Sequence, residues 1–145
     1  MKKLLVTGAS GFLGSRIAAY YRGKYEIDAP SHGELDLIHR EETIRSVMAR
    51  RPDFIIHCAA VSDVGRCEKE PERSWKINVE GSANLAEAAR NTGAKCLLCS
   101  SDQVYFGSPA KGPHREEETL SPCNQYGRQK LQAEEDCLGV NTDCV

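Results

Sequence analysis

Apolar and polar positions along the chain alternate between two rhythms. Short apolar runs occur at "KLLVTG" (3–8), "YEIDA" (25–29), "PDFIIHCAA" (52–60) and "AKCLLCSS" (94–101). Each is too short for a helix and is bounded by glycine, proline or small residues, so each reads as a strand. Between them lie stretches with helical spacing. "GFLGSRIAAYYRG" (11–23) follows the first run, and "REETIRSVMARR" (40–51) carries its acids first and its arginines last, as the helix dipole favours. "PERSWKINVEGSANLAEAARNTG" (71–93) is opened by Pro71 and closed by Gly93, which predicts one long helix. A Gly, Pro and charge-rich loop covers 106–121, a further helix begins near Asn124, and "TDCV" (142–145) opens one more apolar run.

Near-continuous apolar strands alternating with helices predict an α/β fold, a parallel sheet covered on both faces. Ligands of such sheets bind beyond the carboxyl ends of the strands. The residues that follow each strand are therefore the candidates for chemistry.

After the first strand comes "TGASGFLG", with Gly8, Gly11 and Gly14 spaced GxxGxxG. Gly8 suits a tight turn, Gly11 leaves room for a pyrophosphate at the backbone, and Gly14 allows close helix packing. The amides of residues 11–13, including Phe12 and Leu13, then face the phosphates. After the second strand an NAD-type site calls for an acid, but the strand-end positions hold Pro30, Ser31 and His32. Asp28 falls inside the strand, and Asp36 of the "DL" pair (Asp36, Leu37) is the acid placed to reach an adenine. The third strand ends in Ala59, Ala60 and Val61, small enough for a flat ligand to pass close; His57 precedes them and reads as a packed residue. Ser100 and Ser101 end the fourth strand, followed by Asp102. On the last helix, Tyr126 and Lys130 stand four apart, hence on one face.

Composition narrows the classes. The net charge is −2 with no basic run, which argues against a nucleic-acid surface. No apolar stretch approaches a membrane span, and the apolar run after Lys2 and Lys3 is too short for a signal peptide, so a cytoplasmic protein is expected. Of the seven cysteines, Cys96 and Cys99 form a CxxC. A strand sends these two to opposite faces, and no second pair completes a zinc site, so packed thiols are expected and no metal.

Taken in order, TGxxGxxG, Asp36-Leu37, "CAAV", "INVEG" with Asn78, "SSDQVYFG" and the YxxxK at 126–130 resemble the extended short-chain dehydrogenase/reductase family. Within it, "DL", "PD…AA", "EKEPE" and the segment from Glu116 to Lys130 are most similar to the dTDP-4-dehydrorhamnose reductase branch. The resemblance covers nearly the whole chain. It implies a Rossmann-type doubly wound sheet, with residues 1–145 as the NAD(P)-binding domain and the substrate domain outside these residues. It implies NADPH or NADH as cofactor, a nucleotide-sugar substrate, a homodimer as an open assembly state, and reduction of a nucleotide-sugar ketone. A sugar-nucleotide epimerase or dehydratase, or a non-catalytic dinucleotide-binding regulatory subunit, are the alternatives. It further implies Ser101, Tyr126 and Lys130 as catalytic residues. Ser101 would hold the carbonyl, and Lys130 would hold the nicotinamide ribose and draw the phenol of Tyr126 toward working pH. Gly8, Gly11, Phe12, Leu13, Gly14, Asp36, Leu37, Ala59, Ala60, Val61, Asn78, Tyr126 and Lys130 would contact the cofactor. Gln103 departs from the glutamate of the superfamily's dehydratases, which argues against dehydration.

Overall fold

The computed structural model describes residues 1–109 and 111–145. Four strands form one parallel sheet: β1 (Lys3–Thr7), β2 (Glu26–Asp28), β3 (Phe54–His57) and β4 (Lys95–Leu98), in the order β2-β1-β3-β4. All four fall on the apolar runs. β1 is buried on both faces from Leu4 onward, which is why its sequence shows no polar alternation.

Helix α1 (Phe12–Tyr21) connects β1 to β2, and α2 (Arg40–Arg50) returns from β2 to β3 on the far side of β1. Because the chain leaves β1 in one direction and comes back past it in the other, right-handed crossovers put these helices on opposite faces of the sheet. The fold is therefore doubly wound, with a switch point at the carboxyl ends of β1 and β3.

The stretch predicted as a single helix from Pro71 to Gly93 is built in pieces: α4 (Pro71–Trp75), a π-helical turn (Lys76–Glu80), and α5 (Gly81–Thr92). Gly93 closes it in the left-handed conformation at φ 71°, as expected of a helix-ending glycine. A short helix, α3 (Val64–Lys69), precedes it and was not expected, because six residues give too little periodicity to read. Asp63 caps α3 by accepting from the Arg66 amide. The alanines of α5 (Ala86, Ala88, Ala89) are fully buried beside Leu5, Val47, Ile55 and Leu85. Their small side chains allow α2 and α6 (Gln125–Val140) to pack closely on either side.

The terminal apolar run lies beside β4. Cys144 bridges Cys96 in parallel, and Val145 exchanges backbone hydrogen bonds with Cys96 and Leu98. Among the described residues no helix is long and apolar enough to cross a membrane.

Candidate dinucleotide cleft and active site

A cleft of about 990 Å³ opens over the carboxyl ends of β1, β2 and β3. Its floor at one end is the turn after β1. Gly8 has φ +70°, and a Cβ there would lie 2.6 Å from the Ala59 amide nitrogen. A Cβ on Gly14 would lie 2.3 Å from the Gly8 carbonyl oxygen, so the glycine lets α1 sit directly on the turn. Gly11 differs: its φ of −82° suits any residue, and a Cβ would meet only the Gly8 oxygen at 3.3 Å. Gly11 is also the N-cap of α1, with no side chain satisfying the amides of the first turn. The cleft thus ends at uncapped amides beside a glycine with space above it, the arrangement that an anionic phosphate group fits.

The cleft also collects Phe12, Leu13, Asp36, Leu37, Ala59, Ala60, Val61, Tyr126 and Lys130, all expected from the sequence. Asp36 is partly tied up: it accepts from the Ile38 amide at 3.3 Å, and His32 and His39 each bring a ring nitrogen within 3.8 Å of it. Asp28 is bound by Arg50 at 2.6 Å and is not among the lining residues. Arg22, at the end of α1, and Ser31 and His32 line the cleft there instead.

Lys130 lies at the other end. Its side chain is 3% exposed and makes no hydrogen bond or ion pair among the described residues. Burial lowers its pKa. A buried ammonium without a partner, lining a cleft, is set to receive polar atoms from a ligand. Tyr126 is one turn earlier on α6, where Asn124 caps the helix through the Gly127 amide at 2.7 Å. Gln103 accepts from the Asn124 side chain at 2.8 Å, fixing this helix start from the segment after β4.

Two expectations are corrected here. The phenol of Tyr126 is not made more acidic by Lys130. Burial raises its pKa, the Ser101 hydroxyl opposes this, and the negative groups of Cys67 and Asp102 add to the rise. The lysine, itself destabilised as a cation by burial, exerts no resolved pull on the phenol. Nor does Asn78 reach the cleft. It is 1% exposed, accepts from the Val61 amide at 2.7 Å, and donates to the Val61 carbonyl at 3.0 Å and to Gln129 at 2.8 Å. Asn78 therefore stands behind the wall and holds Val61 in place. Ser101 lines a smaller neighbouring cavity of about 410 Å³, with Asp102, Tyr105, Glu116 and Glu134. Its hydroxyl accepts from the Gln103 amide at 3.2 Å. Ser100, which lines both spaces, donates to Glu134.

His57 is buried, as expected, and is not a base in the cleft. Its Nδ1 pairs with the Thr7 hydroxyl at 2.6 Å and its Nε2 with the Ser82 hydroxyl at 2.9 Å. Burial first, and then the charge of Lys130, lower its pKa to about 3. The unfolded chain takes up a proton on this histidine below about pH 6.5, and the folded chain does not. Stability should therefore fall as pH drops from about 6.5 toward 3, by about 2 kcal/mol already at pH 5. Urea unfolding at pH 7 and pH 5 measures this, and His57→Gln should flatten the difference.

The whole chain, residues 1–145, matches the family described as RmlD substrate binding domain. The chain belongs to that family. It is 33% identical over 136 residues to the dTDP-4-dehydrorhamnose reductase of Aggregatibacter actinomycetemcomitans, covering 92% of this chain and 46% of that protein. It is 30% identical over 148 residues to methionine adenosyltransferase 2 subunit beta of Pongo abelii, covering 97% of this chain and 44% of that one. The crystal structure of dTDP-4-dehydrorhamnose reductase from Bacillus anthracis in complex with NADP superposes with a TM-score of 0.92 at 32% identity, over 99% of this chain and 52% of that one. The chain spans about half the length of the relatives it matches.

Proposed function

We propose that residues 1–145 form the nicotinamide-dinucleotide-holding domain of an NAD(P)H-dependent reductase that acts on a nucleotide-sugar ketone, in the manner of a dTDP-4-dehydrorhamnose reductase. The observation that carries this reading is the pairing within one cleft of a glycine turn at one end and Tyr126 with the unpartnered Lys130 at the other. The reductase relatives, one of them solved with NADP, support it.

The dihydronicotinamide, when bound, supplies a hydride. The first-turn amides of α1 and the open face of Gly11 hold the pyrophosphate. Lys130 binds the ribose hydroxyls through its free ammonium. Tyr126, whose phenol stays protonated near neutrality because burial raises its pKa, gives its proton to the substrate oxygen as negative charge develops there. Ser101, near the phenol, holds that oxygen on its other side. Gln103, placed where a dehydratase carries a glutamate, is engaged with Asn124 and serves the helix start.

The decisive assay is NADPH oxidation with dTDP-4-dehydrorhamnose, in a form of the protein as long as the reductase relatives. Turnover supports the reading. Coenzyme binding without turnover would favour the regulatory alternative, for which the similarity to methionine adenosyltransferase 2 subunit beta is the specific ground.

The cleft wall near β2 bears on the choice of coenzyme. It offers Arg22 and His32, while its neighbouring acid, Glu34, is engaged by the amide and hydroxyl of Ser31. NADPH should therefore not be strongly excluded. Calorimetric titration of both checks this, and a preference for NADH beyond about a hundredfold, about 2.7 kcal/mol, would show that an acid reads the ribose.

A further inference from the structure

The cleft contains a pair of thiols that the reductase chemistry does not use. Cys58 directly follows β3 and Cys99 directly follows β4. The register His57↔Leu98 continues into them, and the Cys99 amide still donates to the His57 carbonyl at 3.1 Å. The two residues therefore face each other across adjacent parallel strands, about 4.8 Å apart along the sheet. That spacing lies inside the Cα range of about 4.4–6.8 Å that a disulfide spans. Paired residues of parallel strands point to the same side, and their sulfurs lie 3.5 Å apart. Both are half-buried and both line the cleft, so a small solute can reach them.

The two thiols are electrostatically unequal. Cys58 is pushed up, first by its hydrogen bond with Cys99 and then by burial, although either sulfur can be the donor in that contact. Cys99 comes down to about 7, first because of that hydrogen bond and then because of the charge on Lys130, against the effect of burial. The other buried thiols differ. Cys67 and Cys137 have no sulfur partner among the hydrogen bonds of the described residues, and Cys96 with Cys144 lies in the core, away from the cleft.

We propose that Cys58 and Cys99 form a reversible dithiol–disulfide site on the cleft floor, with Cys99 as the attacking thiol and Cys58 as the resolving one, closed by a peroxide. The Cys99 thiolate attacks one oxygen of hydrogen peroxide. An S–O bond forms, the O–O bond breaks, and hydroxide leaves with the proton that Cys99 had released, as water. The Cys58 sulfur then attacks the sulfenic sulfur of Cys99. The S–S bond forms, the S–O bond breaks, and the oxygen leaves as a second water with the Cys58 proton. Two thiols are oxidised by two electrons and one peroxide is reduced to two waters. An added dithiol reverses the step by exchange. The site stands on the sheet geometry and is independent of the coenzyme reading.

The experiment treats the reduced protein with hydrogen peroxide near neutral pH and follows intact mass and fragmented proteolytic peptides. The expected product has lost two hydrogens, carries a Cys58–Cys99 link, and returns to the starting mass with dithiothreitol. In Cys58→Ser, whose hydroxyl keeps a donor to Cys99, the reaction should stop at a sulfenic acid on Cys99 that dimedone traps. In Cys99→Ser, the peroxide-dependent loss of the Cys58 thiol should slow at least tenfold. A wild-type protein that keeps both thiols free while other cysteines oxidise would overturn the proposal, as would a first link between Cys96 and Cys144. Equal loss of Cys58 in Cys99→Ser would overturn the assignment of roles. Because the wild-type peptide map needs no variant, a substitution that fails to fold leaves the test intact.

Discussion

Tyr126→Phe is expected to lower turnover by about two to four orders of magnitude in a reductase-length form of the protein, while coenzyme affinity changes little. In the proposed reduction the phenol acts on charge that exists only in the transition state, so its loss should fall on kcat and spare binding. The fold should not suffer. The half-buried phenol interacts with the Ser101 hydroxyl, which keeps the Gln103 amide as a partner, so stability should move by no more than about 1 kcal/mol. Lys130→Ala should behave differently. The ammonium lines the cleft with no hydrogen bond or ion pair among the described residues, so its loss should weaken coenzyme binding as well as turnover. Calorimetry and steady-state kinetics on both variants separate the two roles, and a matched loss of affinity in both would end this division. The pH profile adds a check. Burial raises the Tyr126 pKa from its ordinary value near 10, so phenol ionisation should not cut the reduction rate at any pH below about 10.

The sheet and the glycine turn at one end of the cleft were legible from local pattern. The four strands read as apolar runs because a doubly covered parallel sheet buries both faces of each strand. The glycines read correctly because each constraint is local: a left-handed turn at Gly8, and a helix resting on that turn at Gly14. What could not be read depends on partners distant in sequence. Asn78 sits on the long helix, and only the folded chain brings its amide to both backbone groups of Val61. A resemblance can place an asparagine at that position, but it does not distinguish a ligand contact from a buttress behind the wall. The actual neighbours of the CxxC thiols were hidden for a related reason. Spacing ties Cys96 to Cys99, whereas the sheet gives Cys96 to Cys144 and Cys99 to Cys58.

Electrostatics were the least legible feature. A spacing of four positions between a tyrosine and a lysine predicts proximity and therefore an acidified phenol. The folded chain buries both groups, and burial acts on each against its charged form: the phenol moves up and the ammonium moves down. Spacing along one helix carries no information about desolvation, which depends on what the rest of the fold places over that helix. The same holds for Arg22. Nothing in its neighbourhood marks it as a cleft residue, yet it lines the cleft together with Ser31 and His32.

Substituting two neighbouring glycines should produce opposite defects, and the contrast tests the coenzyme end of the cleft on the chain itself. Gly14→Ala places a methyl 2.3 Å from the Gly8 carbonyl oxygen and 2.8 Å from its carbon. Both are backbone atoms of a turn already fixed at φ +70°, so helix α1 must lift off the sheet. A stability loss of about 3 kcal/mol is expected, in the upper range for an overpacked site. Gly11→Val should leave the fold nearly unchanged. The backbone at φ −82° and ψ 175° is ordinary extended geometry for valine, and the only close contact is the Gly8 oxygen at 3.3 Å. The added branches project into the space above the first-turn amides. If a pyrophosphate sits there, they take its place and remove its hydrogen bonds, and affinity should fall at least about a hundredfold. Urea unfolding measures the first effect and calorimetric titration with NADPH the second. Gly11→Val with parental stability and parental affinity would move the phosphate away from the turn after β1 and remove the cofactor assignment of residues 11–13. The loss of binding at unchanged stability that we expect cannot come from a damaged fold, which is why Gly11 is the more informative of the two positions.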